Sequence, residues 1–328
     1  MISSPLEIFS PARVHVSLHQ MSDAYTYSYG GFGFFLQDIG WRLKAKQAND
    51  TEILGNVENE LRQLGICFLQ ELKHKLDGPD CTIEVKKSIP LHCGFGAKTS
   101  FLCGILFAYC KLTDQLNKLT KLIKLTNRGG VSGIGINSIN SGGFILDTGQ
   151  KKDNTVTWAP SGSVCNNAIP NIISSWKMPD WYVLLALPNT PKGMYGNDEL
   201  QFFKRNLPLE KTDVLELAGL VLFELLPGIS SSDFEVFCKA LLKLQTIGFK
   251  KKEWEVQSEL THKTANILYD EGVQMVGLSS MGPLLYSIFQ SNKSDAERIV
   301  VNIEKSGVKL KMLRLTKIEN KSLIELNS

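Results

Sequence analysis

The sequence predicts an α+β fold of two lobes packed across a cleft, and three observations support that expectation. Strand-like alternation and helical periodicity come in blocks along the chain, without the strict strand-helix alternation of a parallel sheet. With 328 residues, 43% of them hydrophobic and 21% charged, the chain can bury a substantial core and divide into two units, at roughly 100 to 200 residues per domain. Three glycine-rich segments fall in different halves of the chain, as a ligand cleft assembled from both would require. The expected boundary separates an N-terminal domain, residues 1–155, carrying a phosphate-binding loop, from a C-terminal domain, residues 156–328.

Taken in order, alternation predicts strands at 11–18 and 32–46, followed by an amphipathic helix at 56–76 with Leu61, Leu64, Phe68 and Leu72 on one face. A strand at 81–87 leads into the first glycine loop, and helices at 98–112 and 115–125 follow it. A strand at 143–148 closes the first lobe. Residues 150–180, rich in Lys, Asn, Ser and Pro, read as a connection with Trp158 and Trp176 packed within it. The run Trp181–Leu187 reads as a buried strand that ends at Pro188, which has no N–H to give a sheet. Helices are expected at 211–226, 231–247 and 254–270. The strand-like Val273–Val276 and a helix over Leu284–Phe289 should then flank the last glycine motif, and 297–316 alternates like a pair of edge strands.

The segment His92–Ser100, HCGFGAKTS, places two glycines just before an apolar helical pattern. Without Cβ atoms, Gly94 and Gly96 let the backbone approach an anion, and the first free N–H groups of the helix point at it with the helix dipole behind them. Lys98 adds a mobile charge and Thr99 a hydroxyl, so Gly94, Phe95, Gly96, Ala97, Lys98 and Thr99 are the candidate diphosphate-binding residues. A glycine pair that merely turns the chain is the alternative.

In Arg128–Gly135, RGGVSGIG, four glycines and a serine in eight residues are too many for one tight turn, and they leave Arg128 beside a backbone that can bend around a ligand. Arg128, Gly129, Gly130, Ser132 and Gly133 are substrate-binding candidates. In Gly277–Pro283, GLSSMGP, Ser279 and Ser280 read as caps of the following helix or as contacts to an anion or metal, with Gly282 beside them.

Among the five histidines, His74 and His262 lie in lysine-rich helical patterns and read as surface residues. His15 and Arg13 share one face of a strand, either a polar active-site face or an exposed one. His92 opens the glycine loop and either touches substrate or hydrogen-bonds the turn. Arg13 and Arg128 suit a carboxylate or phosphate because a guanidinium binds two oxygens at once, with structural salt bridges as the alternative. His15, His92 and Lys98 are the catalytic candidates.

A net charge of +3, from 36 lysines and arginines against 33 acidic residues, is too small to argue for a nucleic-acid or membrane partner. The run Lys250–Lys252 reads as a solvated helix start. Seven cysteines without a CxxC pair argue against both a disulfide framework and a zinc site, and Cys93, inside the loop, reads as packing in preference to a nucleophile. Met1–Ser10 lacks the pattern of a secretory leader, so the expected location is the cytoplasm.

The three glycine segments, in this order, resemble the GHMP kinase superfamily. Together with SPARVHVSLHQM (Ser10–Met21), YGGFGFFL (Tyr29–Leu36) and GGFILDTG (Gly142–Gly149), they are similar to the β-ribofuranosylaminobenzene 5'-phosphate synthase family over nearly the whole chain. The resemblance implies an S5 domain 2-like N-terminal lobe and a ferredoxin-like C-terminal lobe. It also implies a transferase that joins ribose C1 of phosphoribosyl pyrophosphate to a ring carbon of a hydroxy- or aminobenzoate-type acid, releasing pyrophosphate and carbon dioxide, as in methanopterin-type cofactor biosynthesis. Mg2+ would accompany the diphosphate, no metal ligands are assigned, and a homodimer is what relatives suggest. Ala97 stands where the family commonly has serine, Phe95 where leucine is usual, Tyr29 where an acidic residue is frequent, and Met281 and Leu284 where tryptophan and threonine are frequent. Two alternatives stay open: an ATP-dependent small-molecule kinase, from the superfamily at large, and a ligand-binding paralogue without activity, from Ala97 and Tyr29.

Overall fold

The computed structural model describes residues 5–152, 158–163, 168–290 and 293–328. The expected boundary between residues 155 and 156 lies outside them.

The first sheet grows from a hairpin, β1 (Leu6–Gln20) and β2 (Tyr27–Gln47), whose register runs from Leu6 opposite Ala45 to Gln20 opposite Tyr29. At 21 residues, β2 is long enough to take several partners along its other edge. Residues 42–47 pair with β4 (Cys81–Lys87), residues 32–34 with β5 (Phe144–Asp147) and residues 27–28 with β6 (Gln150–Lys151). β3 (Glu52–Gly55) and β7 (Ile172–Trp176) end the path β3-β4-β2-β5-β7, and β1 and β6, each paired with β2 off that path, bring the sheet to seven strands.

Two helices cover this sheet. α1 (Asn59–Leu76) is amphipathic and buries Leu61, Phe68, Leu69 and Leu72. α2 (Ala97–Leu112) is buried continuously from Ser100 to Cys110, because it is apolar all round and lies between the sheet and α1. Leu64, expected on the inner face of α1, is exposed.

The second sheet consists of β8 (Tyr182–Pro188), β9 (Gly277–Leu278), β10 (Leu285–Phe289) and β11 (Leu310–Lys317), all antiparallel, in the order β11-β8-β10-β9. Counted along the chain this is fourth, first, third, second, with helices between β8 and β9 and the helix Lys293–Lys305 between β10 and β11. That is the strand order of a ferredoxin-like lobe.

The segment Leu284–Phe289, expected to be helical, is strand β10, since a short apolar run carries no distinguishing period and burial on both faces selects a strand. Ser279 and Ser280 therefore cap no helix and lie in the turn between β9 and β10. The stretch 297–316 is mostly the helix Lys293–Lys305 followed by β11, not paired edge strands. The expected connection 150–180 contributes β6 and β7, with Trp176 on β7, and the 254–270 helix is two, Gly248–Glu255 and Glu259–Asp270. The helix Asn197–Asn206 was not signalled by the sequence pattern. The 115–125 segment is a series of short helical turns. Among the described residues, no helix is long and apolar enough to cross a membrane.

An aromatic chain joins the lobes. Phe144 of β5 packs edge-on against Phe237 of the helix Phe234–Leu244 at 6.3 Å between ring centres, and Phe237 meets Trp181 at 5.2 Å. Phe144 also contacts Phe32 and Trp176. Because Phe144 is fully buried at this junction, Phe144→Ala should cost about 3–5 kcal/mol of unfolding free energy. Urea titration followed by far-UV circular dichroism measures this, and a loss below about 1 kcal/mol would show that the junction repacks around the gap.

Candidate active site

A cavity of about 350 Å³ opens between the lobes, lined by the α2 loop, Arg13, Arg128, residues 160–163, residues 194–196, Glu199 and the β9–β10 turn. A smaller compartment of about 70 Å³ continues inward and shares Arg13, Arg128, Ser161, Glu199 and Ser280 with it. All three glycine segments thus meet at one place.

The α2 loop takes its shape from three left-handed positions, His92 (φ 56°), Gly94 (φ 106°) and Gly96 (φ 67°). Gly94 is required twice over, by its φ and because a Cβ there would lie 2.6 Å from the Ser279 carbonyl oxygen. Gly282 has the same constraint from the other side, since its Cβ would sit 2.2 Å from the backbone of Cys93. The hydrogen bonds follow from this close approach. Ser279 Oγ donates to Gly94 O at 2.7 Å and accepts from His15 N at 3.0 Å. Arg13 Nη1 donates to the same Gly94 oxygen at 2.7 Å, and Arg13 N donates to Phe95 O at 3.0 Å. Ser280 N donates to His15 O, and Leu284 N to Cys93 O, both at 3.1 Å.

The loop's carbonyls are thereby occupied, while α2 begins at Gly96 with no side-chain cap and no acidic residue in its first turn. Its first N–H groups have no intrahelical acceptor, and the residues of that turn, Gly96, Ala97 and Lys98, line the cavity.

Phe95 buries its ring in the core, so it contributes backbone only. Ala97 is also buried, and its carbonyl accepts from Trp41 Nε1 at 3.0 Å. Thr99 Oγ1 accepts from Arg128 Nε at 3.1 Å, and Arg128 Nη2 reaches Ser161 Oγ at 3.3 Å. Lys98 stands at the rim, paired with Glu60 of α1. Glu60 is largely exposed, so the pair is weak and Lys98 can exchange it for an incoming phosphate.

Neither Arg13 nor Arg128 forms a salt bridge among the described residues, so the structural ion pairs held open from the sequence are absent there. Burial first, then the charge of Arg128, brings the Arg13 guanidinium down to about 10, and burial also lowers Arg128.

The glycine-rich segment is organised by a residue the sequence reading missed. Asp147, buried at the end of β5, accepts from Gly133 N (2.8 Å) and Ser132 Oγ (3.1 Å) with one oxygen and from Gly149 N (2.8 Å) with the other. The amide of Gly133 and the hydroxyl of Ser132 are therefore committed to Asp147. Gly129 lines the inner compartment, and its carbonyl accepts from Gln150. Gly130 is buried and lines neither compartment.

His15 is buried beside the inner compartment, and its Nδ1 has no hydrogen-bond partner among the described residues. Burial, reinforced by Arg13 and Lys250, holds its imidazole well below the ordinary histidine value, so it is neutral. His92 stacks on Tyr195 with 4.1 Å between ring centres, and burial lowers its titration as well.

Lys250, expected at the surface, is buried and paired with Glu253, and its Nζ donates to Leu278 O at 2.9 Å. Helix Gly248–Glu255 turns this one lysine of the run inward. Glu199, in the first turn of helix Asn197–Asn206, lines both compartments; burial, followed by the neighbouring Glu253, pushes its carboxyl up to about 7. Among the described residues no three histidine, cysteine or carboxylate side chains converge as a metal cluster.

No protein-family model matches the chain. The chain is 30% identical over 295 residues to the β-ribofuranosylphenol 5'-phosphate synthase of Archaeoglobus fulgidus, covering 89% of this chain and 90% of that protein. The chain belongs to the β-ribofuranosylphenol 5'-phosphate synthase family. The enzyme of that name from Methanothermobacter thermautotrophicus is 27% identical, with 92% of this chain and 94% of that protein covered. Among solved structures, homoserine kinase from Cytophaga hutchinsonii superposes with a TM-score of 0.66 at 12% identity, covering 98% of this chain and 97% of that one. A mevalonate kinase gives 0.64 at 14% identity, with 96% and 100% covered. The fold is thus that of the GHMP kinases, while the sequence relatives are named as synthases and do not favour the kinase alternative. In this member of the synthase family, the contact between Gly282 and Cys93 is testable. Gly282→Ala should displace the α2 loop, lowering Tm and speeding amide hydrogen exchange at residues 93–97; unchanged exchange there would show that the loop does not depend on this contact.

Proposed function

We propose that this synthase family member transfers the ribosyl 5-phosphate unit of phosphoribosyl pyrophosphate to the ring of a hydroxybenzoate-type acid, releasing pyrophosphate and carbon dioxide, as a step of methanopterin-type cofactor biosynthesis. The observation that carries the reading is the pair of half-buried guanidinium groups, Arg13 and Arg128, neither of them in a salt bridge among the described residues, beside the uncapped start of α2. Two desolvated guanidinium groups and a row of free amides are costly to hold without an anion, and they oppose the charge that develops on a departing diphosphate. Loss of that group leaves oxocarbenium character at ribose C1, which an electron-rich ring carbon attacks.

Mg2+ would enter as the counter-ion of the donor's diphosphate, because a hard cation prefers oxygen ligands and the described side chains form no cluster of their own for it. The phenol in the names of the relatives supports a hydroxy over an amino acceptor. The homodimer and the cytoplasmic location are carried by the resemblance and by the cysteine pattern.

Phosphoribosyl pyrophosphate with Mg2+ should raise Tm, and ATP with Mg2+ should not. Hydroxybenzoate and the donor together should yield pyrophosphate and carbon dioxide in equal amounts. Stabilisation by ATP alone would overturn the reading. Lys98→Ala should raise KM for the donor about tenfold, equivalent to about 1.4 kcal/mol, with Tm unchanged; an unaltered KM would show that Lys98 serves only its pair with Glu60.

A further inference from the structure

The proposed transfer needs a proton acceptor, because a phenol ring gains its full nucleophilic strength only as the O–H bond yields its electrons. We propose that Glu199 is the base that takes the phenol proton of the aromatic acceptor, bound in the cleft where its two compartments join. This assignment rests on the proposed function and adds the residue that activates the acceptor.

Position is the first argument. Glu199 is at the start of helix Asn197–Asn206 and borders both compartments, so it faces the region where the donor's C1 and the acceptor's ring would meet. Among the described residues its carboxylate has no hydrogen-bond or salt-bridge partner. The other cleft carboxylates are engaged: Glu60 with Lys98, Glu253 with Lys250, and Asp147 with the glycine-rich segment. The inner compartment, about 70 Å³ and largely polar, is too small for the whole acid, so the ring would extend into it from the outer cavity, with Leu18, Val131, Phe203 and Met281 as its apolar wall.

Electrostatics supply the second argument. The charged and titratable groups around Glu199 are Arg128 from the glycine-rich segment, Glu253 and its partner Lys250 from helix Gly248–Glu255, Arg13 and His15 from β1, and His92 and Lys98 from the α2 loop. Burial and Glu253 raise Glu199 to about 7, while His15 lies well below its ordinary value. Two groups pushed in opposite directions divide the work: the carboxylate accepts a proton, and the neutral imidazole remains a hydrogen-bonding group.

The step balances without a further reactant. The bond from C1 to the diphosphate oxygen breaks, with the electron pair leaving on pyrophosphate. The ring carbon bearing the carboxylate bonds to C1 as the phenol proton moves to Glu199, giving a cyclohexadienone. Cleavage of the bond to carbon dioxide then returns an electron pair to the ring, and Glu199 gives the proton back to the phenolate oxygen.

The test is Glu199→Gln, assayed with Mg2+, phosphoribosyl pyrophosphate and two acceptors: hydroxybenzoate, and a hydroxybenzoate whose flanking fluorines ionise the phenol at neutral pH. For hydroxybenzoate, kcat should fall by about 10²–10⁴-fold with little change in the donor's KM, and the rise of kcat with pH near 7 should disappear. With the fluorinated acceptor the deficit should shrink to less than about tenfold, because no base is needed, an effect that a merely structural role would not produce. If the variant does not fold, the unaltered protein still decides: its pH limb near 7 should be present with hydroxybenzoate and absent with the fluorinated acceptor. An equal deficit for both acceptors, a changed Mg2+ requirement as the main effect, or a limb that persists with the fluorinated acceptor would overturn the assignment. Absence of ribosyl transfer by the unaltered protein would remove the proposed function and this assignment together, whereas an active protein whose variant keeps its rate and pH profile would remove the assignment alone.

Discussion

The costly feature of this molecule is positive charge drawn partly out of water with no salt bridge to it among the described residues, only the longer-range fields of Glu199 and Glu253. Arg13 and Arg128 are held by backbone oxygen and hydroxyl partners, which fix their direction but neutralise nothing. Removing an unpaired ion from water costs several kcal/mol, and a fold accepts that cost only where something else recovers it. Under the proposed function the donor's diphosphate would recover it, a reading supported by uncapped amides at the start of α2, a lysine at the rim in a weak pair, and a neutral histidine that adds no further positive charge.

The two sheets divide the labour of building this environment. The long β2 strand binds β1, which delivers Arg13 and His15, and its other edge binds β5, which delivers Asp147 beneath the glycine-rich segment. The ferredoxin-like lobe supplies the β9–β10 turn and the helices that bear Glu199, Lys250 and Glu253. Phe144 and Phe237 hold the two in contact through apolar area, leaving polar groups free to face the cleft.

Much of the cradle was legible in the sequence because glycine carries its own explanation: Gly94 and Gly96 are left-handed at a helix start, as their spacing suggested. Strands β1, β2, β4 and β8 were legible through alternation or β-branched runs. Leu284–Phe289 was not, because six residues buried on both faces show neither period two nor period 3.6. β7 escaped because IISSW sits among Asn, Ser and Pro and looks like loop. Lys250 and Glu199 were missed for a different reason. Both lie in polar helices where a single inward-turning charge has no local signature, and only the packing of helices Asn197–Asn206 and Gly248–Glu255 around the cleft reveals it. Asp147 could have been suspected, as an acidic residue closing a strand next to Thr148-Gly149.

Ser279 joins one strand of each lobe to the anion loop with a single hydroxyl, and this has a bearing on modularity. The loop's conformation is not a property of the N-terminal half, because Gly94 is clamped by a residue nearly two hundred positions later. Separately produced halves, or a chimaera that borrows only the front half, would carry the glycines but lack their template. Inheritance of such a chain is therefore all or nothing, and substitutions tolerated in the late turn are filtered by a loop they never border in sequence.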